Sequence, residues 1–152
     1  MKLTQFTDYS LRVLIYLAAQ PERRATVAEI ATAFDISEHH LTKVVHSLGK
    51  KQWIATVRGK GGGLMLARPA TEISIGRVVR DTEGTAVPAE CFDAHAQGRC
   101  AIIGNCRLRG VLAEAVHAFY AVLDRYTLAD LVRNRHTLMQ VLRIERPATR
   151  PA

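Results

Sequence analysis

The stretch TVAEIATAFDISEHHLTKVVHSLGKKQWIATVRGKGGGLMLARP (26–69) restricts the fold of this chain more than any other part of it. Thr26 can cap a short helix over 27–34, and Glu29 three residues on completes a capping box. Phe34-Asp35-Ile36 breaks that pattern. Ser37 can then cap a helix over 38–51 whose apolar face is Leu41, Val44, Val45 and Leu48. Ahead of both, FTDYSLRVLIYLAAQ (6–20) places Leu11, Leu14, Ile15 and Ala18 at helical spacing, opened by Thr7 as N-cap and closed before Pro21. Two short helices, a tight turn and a third helix with polar residues at its start make a helix-turn-helix arrangement. WIATVRG (53–59) then reads as a strand, GKGGG as a flexible hairpin tip and LMLARP (64–69) as the returning strand. A basic, glycine-rich hairpin directly after a recognition helix is the wing of a winged helix.

Beyond Pro69, ISIGRVVRDTEG (73–84) predicts a further short helix. Residues 85–105 show neither helical nor strand periodicity and read as a loop, of a length that is usually functional or disordered. A long helix is expected over 106–132. Its stripe is Leu108, Val111, Leu112, Ala115, Phe119, Val122 and Tyr126, widened by Val116, Tyr120 and Leu123. A stripe that wide needs more cover than a small winged helix offers, so it is expected to be a dimer seam. The fold expected is mainly α with a small β-wing: a winged helix-turn-helix domain (1–84), a cysteine-bearing loop (85–106), a dimerisation helix region (107–145) and a disordered tail (146–152).

The charge follows the same division. The formal net charge is +7. Residues 21–80 hold ten Lys/Arg against five Asp/Glu, whereas residues 81–152 hold nine against eight. A basic surplus confined to one half is what polyphosphate recognition needs. The run Val13–Ala19 is too short to span a bilayer, and Asp8 and Arg12 interrupt its approach, so no membrane role and a cytoplasmic location are expected. An odd cysteine count argues against a disulfide framework.

The expected base readers lie on the polar face of the third helix: Ser37, Glu38, His39, His40, Thr42, Lys43 and His46. An α-helix fits the major groove of double-stranded DNA, where Lys can donate to guanine and Ser or Thr can serve as donor or acceptor. Lys50 and Lys51 follow at the helix end, where they also complement its dipole. Arg58 and Lys60 in the hairpin are expected to reach phosphate or the adjacent minor groove. His39 and His40 are neighbours on a helix, about 100° apart, and are poorly placed to chelate one ion.

All three cysteines lie in CFDAHAQGRCAIIGNC (91–106). Cys91, Cys100 and Cys106 sit apart from the apolar periodic segments where structural cysteines belong. Thiolates gathered in one loop suit zinc or an iron–sulfur cluster. Zinc ligands come as tight C-x2–4-C pairs, absent here, whereas iron–sulfur clusters accept wider spacing because different cysteines bind different irons. Three cysteines leave one position open. His95 is the local candidate for it, and a carboxylate from elsewhere the other, more displaceable one. An enzyme would need Cys91 and His95 as a nucleophile–base pair, but nothing supplies an oxyanion hole or a phosphate cradle, so catalysis is not expected. A zinc or thiol-redox DNA switch is the better rival.

MKLTQFTDYSLRVLIYLA, the block from Thr26 to Ala70 and the three-cysteine loop together resemble the Rrf2 family of winged-helix regulators, from Met1 to about Leu142. FTDYSLRVLIY, VRGKGGG and YTLADLV are similar to its nitric-oxide-sensing branch. The resemblance implies a homodimer with one iron–sulfur cluster per subunit, 4Fe–4S favoured and 2Fe–2S possible. It further implies a repressor of nitric-oxide detoxification genes, bound to an inverted-repeat operator and released when the cluster is nitrosylated. The family's cysteine positions fall on Cys91, Cys100 and Cys106. Its fourth ligand, an acidic residue in the first helix of the partner subunit, falls on Asp8. Arg12, one turn later, would hold that carboxylate or line the cluster. The eight residues between Cys91 and Cys100 depart from the tighter spacing of the family's iron–sulfur assembly regulator, which uses a histidine, and keep His95 as an alternative.

Overall fold

The N-cap of the first helix lies three residues before the one expected. In the computed structural model, which describes residues 2–84, 89–92 and 100–144, helix α1 (Gln5–Ala19) is capped by Thr4, whose hydroxyl accepts from the Thr7 N–H at 3.2 Å. Thr4 is itself held from outside: the Glu83 carboxylate accepts its backbone N–H at 2.8 Å and its hydroxyl at 3.0 Å. A partner 79 positions away decides between two local candidates, and Thr7 is fully buried instead.

Helix α2 (Val27–Phe34) has the expected capping box, with Thr26 and Glu29 exchanging hydrogen bonds of 3.2 and 2.6 Å. Asp35 ends it in the left-handed region at φ 52°. The Ile36 N–H then donates to Ala31 O at 2.9 Å, which closes the turn. Helix α3 (Glu38–Lys50) starts without help from the Ser37 side chain, contrary to expectation. The turn alone sets its start, so the exposed Ser37 hydroxyl makes no capping bond.

Strands β1 (Ile54–Val57) and β2 (Gly63–Leu66) pair antiparallel, Ile54 opposite Leu66 and Val57 opposite Gly63. They are shorter than expected for two reasons. Trp53 is occupied in closing α3, its N–H donating to Leu48 O at 3.0 Å, and Gly59 turns the chain at φ 93°. The hairpin is fastened to the α1–α2 connection, because Ala25 and Leu64 exchange backbone hydrogen bonds of 3.1 and 2.7 Å. At its tip a Cβ on Gly62 would lie 2.4 Å from Val57 O and 2.8 Å from Gly59 O, both backbone atoms. Gly62→Ala is therefore expected to cost about 1–3 kcal/mol of local strain. Faster hydrogen exchange at the Leu64 amide would register it, and an unchanged rate would refute it.

Helix α4 (Ile75–Glu83) is capped by Ser74. The long helix expected over 106–132 is instead two pieces, α5 (Arg107–Leu123) and α6 (Leu128–Leu131), and a further helix, α7 (Arg135–Val141), follows. Thr127 and Asp130 form a capping box that restarts the chain in a new direction. The Leu128 N–H then donates to Ile73 O and the Ile75 N–H to Tyr126 O, at 2.8 and 3.0 Å. The returning segment thereby joins the core. Val13, Leu14 and Leu17 of α1 form the axis of that core. Around them lie Ile30, Leu41, Leu48, Val78, Val79 and Leu128, each almost fully excluded from water. Arg135 closes the far end by donating to Ala19 O at 2.8 Å. Among the described residues no helix is long and apolar enough to cross a membrane.

Candidate nucleic-acid interface and cysteine site

Helix α3 divides cleanly between two environments. Leu41, Val44 and Leu48 are buried. Ser37, Glu38, His39, His40, Thr42, Lys43 and His46 are all exposed. The Thr42 hydroxyl donates to Glu38 O at 2.8 Å and keeps its acceptor capacity outward. The His39 and His40 rings are 6.2 Å apart and tilted by 54°, so each presents its own edge to solvent. Arg58 and Lys60 are exposed on the wing. Between helix and wing runs an open groove of about 660 Å³ lined by Thr42, His46, Lys50, Thr56 and Arg58. Hydroxyls and cations at that spacing suit a sugar–phosphate strand. Arg24 adds a cation that sequence reading missed: its guanidinium donates to Gly61 O at 3.0 Å and braces the wing tip. Only the folding of the hairpin onto the α1–α2 connection brings those residues together.

Asp8 and Arg12 form the pair expected one helical turn apart. Arg12 donates to Asp8 Oδ1 at 3.2 Å and lies 2.8 Å from Oδ2, both side chains being half exposed. The guanidinium also lies 5.8 Å from the ring centres of both Tyr9 and Phe34. A planar cation held by two rings fixes the orientation of the carboxylate it grips.

All three cysteines are free thiols. Cys91 lies in a short turn, Glu90–Phe92. Cys100 opens the next described segment, its carbonyl accepting from the Ile103 N–H at 3.2 Å. Cys106 is the N-cap residue of α5. Arg109, in the first turns of α5, lies 5.7 Å from the centre of the Phe92 ring and brings the Cys91 turn alongside. Phe92 and Cys106 line one open pocket of about 510 Å³ with Asn105, Arg107 and Gly110. The unpaired N–H groups of the first turn of α5 face the same end, where negative charge is favoured. Among the described residues no three His, Cys, Asp or Glu side chains converge on one point. The donor types still have the chemistry an iron–sulfur cluster uses: three free thiols within residues 91–106 and an oriented carboxylate on α1. His95 and residues 146–152 lie outside the described residues.

Helix α5 has no buried residue. Leu108 and Val111 are 62% and 61% exposed, and Val122 and Tyr126 45% and 46%. That apolar stripe is uncovered in the single chain, whereas Phe119, Tyr120 and Leu123 pack on the core from its other side.

A helix-turn-helix with a polar, exposed third helix and a docked basic wing defines a winged-helix DNA-binding regulator. The family described as iron-dependent transcriptional regulators, Rrf2, matches residues 3–134. The HTH-type transcriptional regulator NsrR of Geobacillus kaustophilus is 50% identical over 147 residues, covering 96% of this chain and 99% of that protein. The regulator of the same name from Bacillus subtilis is 47% identical over 146 residues, covering 95% and 99%. Among solved structures, CymR, the global cysteine regulator of B. subtilis, superposes with a TM-score of 0.67 at 27% identity, covering 88% of this chain and 98% of that one. T. potens IscR, at 24% identity, shares the fold with a TM-score of 0.71 over 88% of each chain. The chain belongs to the Rrf2 family. It is a transcriptional regulator and not an enzyme.

Proposed function

We propose that this protein is a homodimeric repressor that binds an inverted-repeat operator and releases it when nitric oxide reaches an iron–sulfur cluster held by its cysteine loop. The observation that carries the reading is the near-full-length likeness to proteins named NsrR, on a chain whose three cysteines are free thiols within residues 91–106. In this reading α3 enters the major groove. Ser37, Glu38, His39, His40, Thr42, Lys43 and His46 meet base edges, while Arg58 and Lys60 follow phosphate. Two copies pair through Leu108, Val111, Val122 and Tyr126, which sets the spacing of the two recognition helices to that of the half-sites.

Cys91, Cys100 and Cys106 are the cluster's ligands, with Asp8 reaching over from the other copy and His95 as the alternative. When bound, the cluster supplies iron with which nitric oxide reacts. Arg12 holds the Asp8 carboxylate in one orientation, so the fourth ligand is presented without reorganisation. A carboxylate given across the seam ties the loop of one subunit to the DNA-reading half of the other. Residues 1–84 then read DNA, 85–106 hold the cluster and 107–145 pair the copies, with α6 and α7 also completing the core.

The decisive experiment is an anaerobic nitric-oxide titration following visible absorbance and operator binding in one sample. A charge-transfer band that bleaches as DNA is released is the expected result. A colourless protein that binds its operator regardless would sink the proposal and favour a zinc or thiol switch. On the DNA side, Lys43→Ala is expected to weaken operator binding by about 1–3 kcal/mol and to relax specificity at one base pair. Arg58→Ala and Lys60→Ala should each lower the salt slope of binding by about one. Equal losses on operator and random DNA for Lys43→Ala would place Lys43 on phosphate.

A further inference from the structure

Helix α4 makes no contact expected of a DNA reader and holds none of the proposed cluster ligands, yet each of its charged side chains reaches another part of the molecule. Arg80 forks onto Asp124 at the C-terminal end of α5, with both N···O distances 2.6 Å, and lies 4.5 Å from the centre of the Tyr120 ring. Asp81 accepts the Trp53 indole N–H at 2.9 Å. Arg77 lies over the same indole at 6.0 Å, and Arg68 of the wing's return lies over it at 5.0 Å. Glu83 grips Thr4 at the start of α1. Gly76 explains how close α4 and α5 come, since a Cβ there would lie 2.0 Å from Asp124 Oδ1.

We propose that α4 is a relay that imposes the position of α5 on the recognition helix and wing, with Arg80 as its input and the Asp81–Trp53 hydrogen bond as its output. Ile75, Val78 and Val79 are buried, so this short helix moves as a body rather than bending side chain by side chain. Arg80 and Asp81 are adjacent, about 100° apart around the helix. Any rotation that follows Asp124 is therefore delivered at Trp53 through the same angle. Trp53 sits where it matters: its backbone N–H donates to Leu48 O of α3, and its backbone carbonyl accepts from Ala67 N–H at 3.1 Å, beyond the end of β2. Moving the indole moves the joint between recognition helix and wing. At its other end α4 stops at Gly84, seven residues before Cys91. A half-exposed ion pair alone is worth little. Two parallel hydrogen bonds, a ring beneath and a glycine seat make this one a geometric constraint.

The effect on repression rests on the regulator reading above; the mechanical link does not. Trp53 is the only tryptophan in the chain, so its fluorescence reports on the output directly. Asp124→Ala and Arg80→Gln, made separately in the full-length protein, are expected to red-shift Trp53 emission and increase its quenching by acrylamide. Using both guards against a folding defect peculiar to one, and Glu72→Ala, exposed and off the helix, should leave emission unchanged. Operator affinity should fall by roughly two- to thirtyfold in Asp124→Ala. It should fall in Trp53→Phe as well, with little further loss when the two are combined. Unchanged emission and quenching in both Asp124→Ala and Arg80→Gln, with circular dichroism intact, would overturn the relay, as would additive losses in the double variant. A wild-type protein blind to nitric oxide whose indole still answers to Asp124→Ala would sink the nitric-oxide reading and leave the relay standing.

Discussion

Cys106→Ser protein, reconstituted anaerobically, is expected to lack visible charge-transfer absorbance and to bind operator DNA with an affinity that nitric oxide does not change. Serine keeps the size of the side chain but replaces a soft thiolate donor with a hydroxyl that stays protonated near neutral pH. Even changes in the shell around a metal's ligands cost about ten- to a hundredfold in affinity, so loss of a ligand should lower bound iron by more than about tenfold. Position adds to the effect, because Cys106 is the N-cap residue of α5 and lines the pocket beside the Cys91 turn. Asp8→Ala makes the informative contrast. A carboxylate is the weaker ligand and is already gripped by Arg12, so that variant should hold iron after reconstitution and lose it faster in air. Iron per protomer, measured for both variants, decides the matter. Full iron and an intact nitric-oxide response in Cys106→Ser would remove that residue from the ligand set.

The second large effect belongs to stability. Leu128→Ala is expected to cost about 2–5 kcal/mol, the range for deleting a fully buried leucine side chain. Leu128 is 0% exposed within the core cluster, and its N–H is bonded to Ile73 O. Set against a total stability of roughly 5–15 kcal/mol, that is a large fraction. In urea, with m of about 1–3 kcal/mol/M, the midpoint should drop by at least about 0.7 M at fixed protomer concentration. A shift under about 0.3 M would mean that α6 is not part of the cooperative core in solution.

These two sites were unequally legible. The winged helix could be read almost whole, because its signals are local: the Thr26–Glu29 box, the periodic Leu41, Val44 and Leu48, and the glycines of the hairpin. What escaped depends on distant partners. Thr4 outcompetes Thr7 because Glu83 holds it from α4. The end of α5 was missed although its signal was present: Thr127 followed by Asp130 is a helix start in the middle of an unbroken apolar stripe. Asp124, Arg125 and Tyr126 are all compatible with helix, so periodicity ran straight through them. Among the cysteines, the donor types and spacing were legible, whereas the packing of the Cys91 turn against the start of α5 through Phe92 and Arg109 was not. Arg24 and the ties made by α4 had no local pattern at all, since each exists only after the hairpin or α5 has docked.

The placing of α1 has a consequence for how the chain is made. Its apolar faces are covered by α2 and α3, by α4, and last by α6 and α7. The carbonyl at its end is satisfied by Arg135, 116 positions downstream. At a synthesis rate of about 5–20 residues per second, the ribosome needs on the order of ten seconds to add that stretch. Throughout that interval the helix with the most buried residues among those described is finished but only partly covered. Nascent chains that stop short of Leu128 should therefore be the form of this protein most in need of chaperones, because loss of the C-terminal helices uncovers the first one.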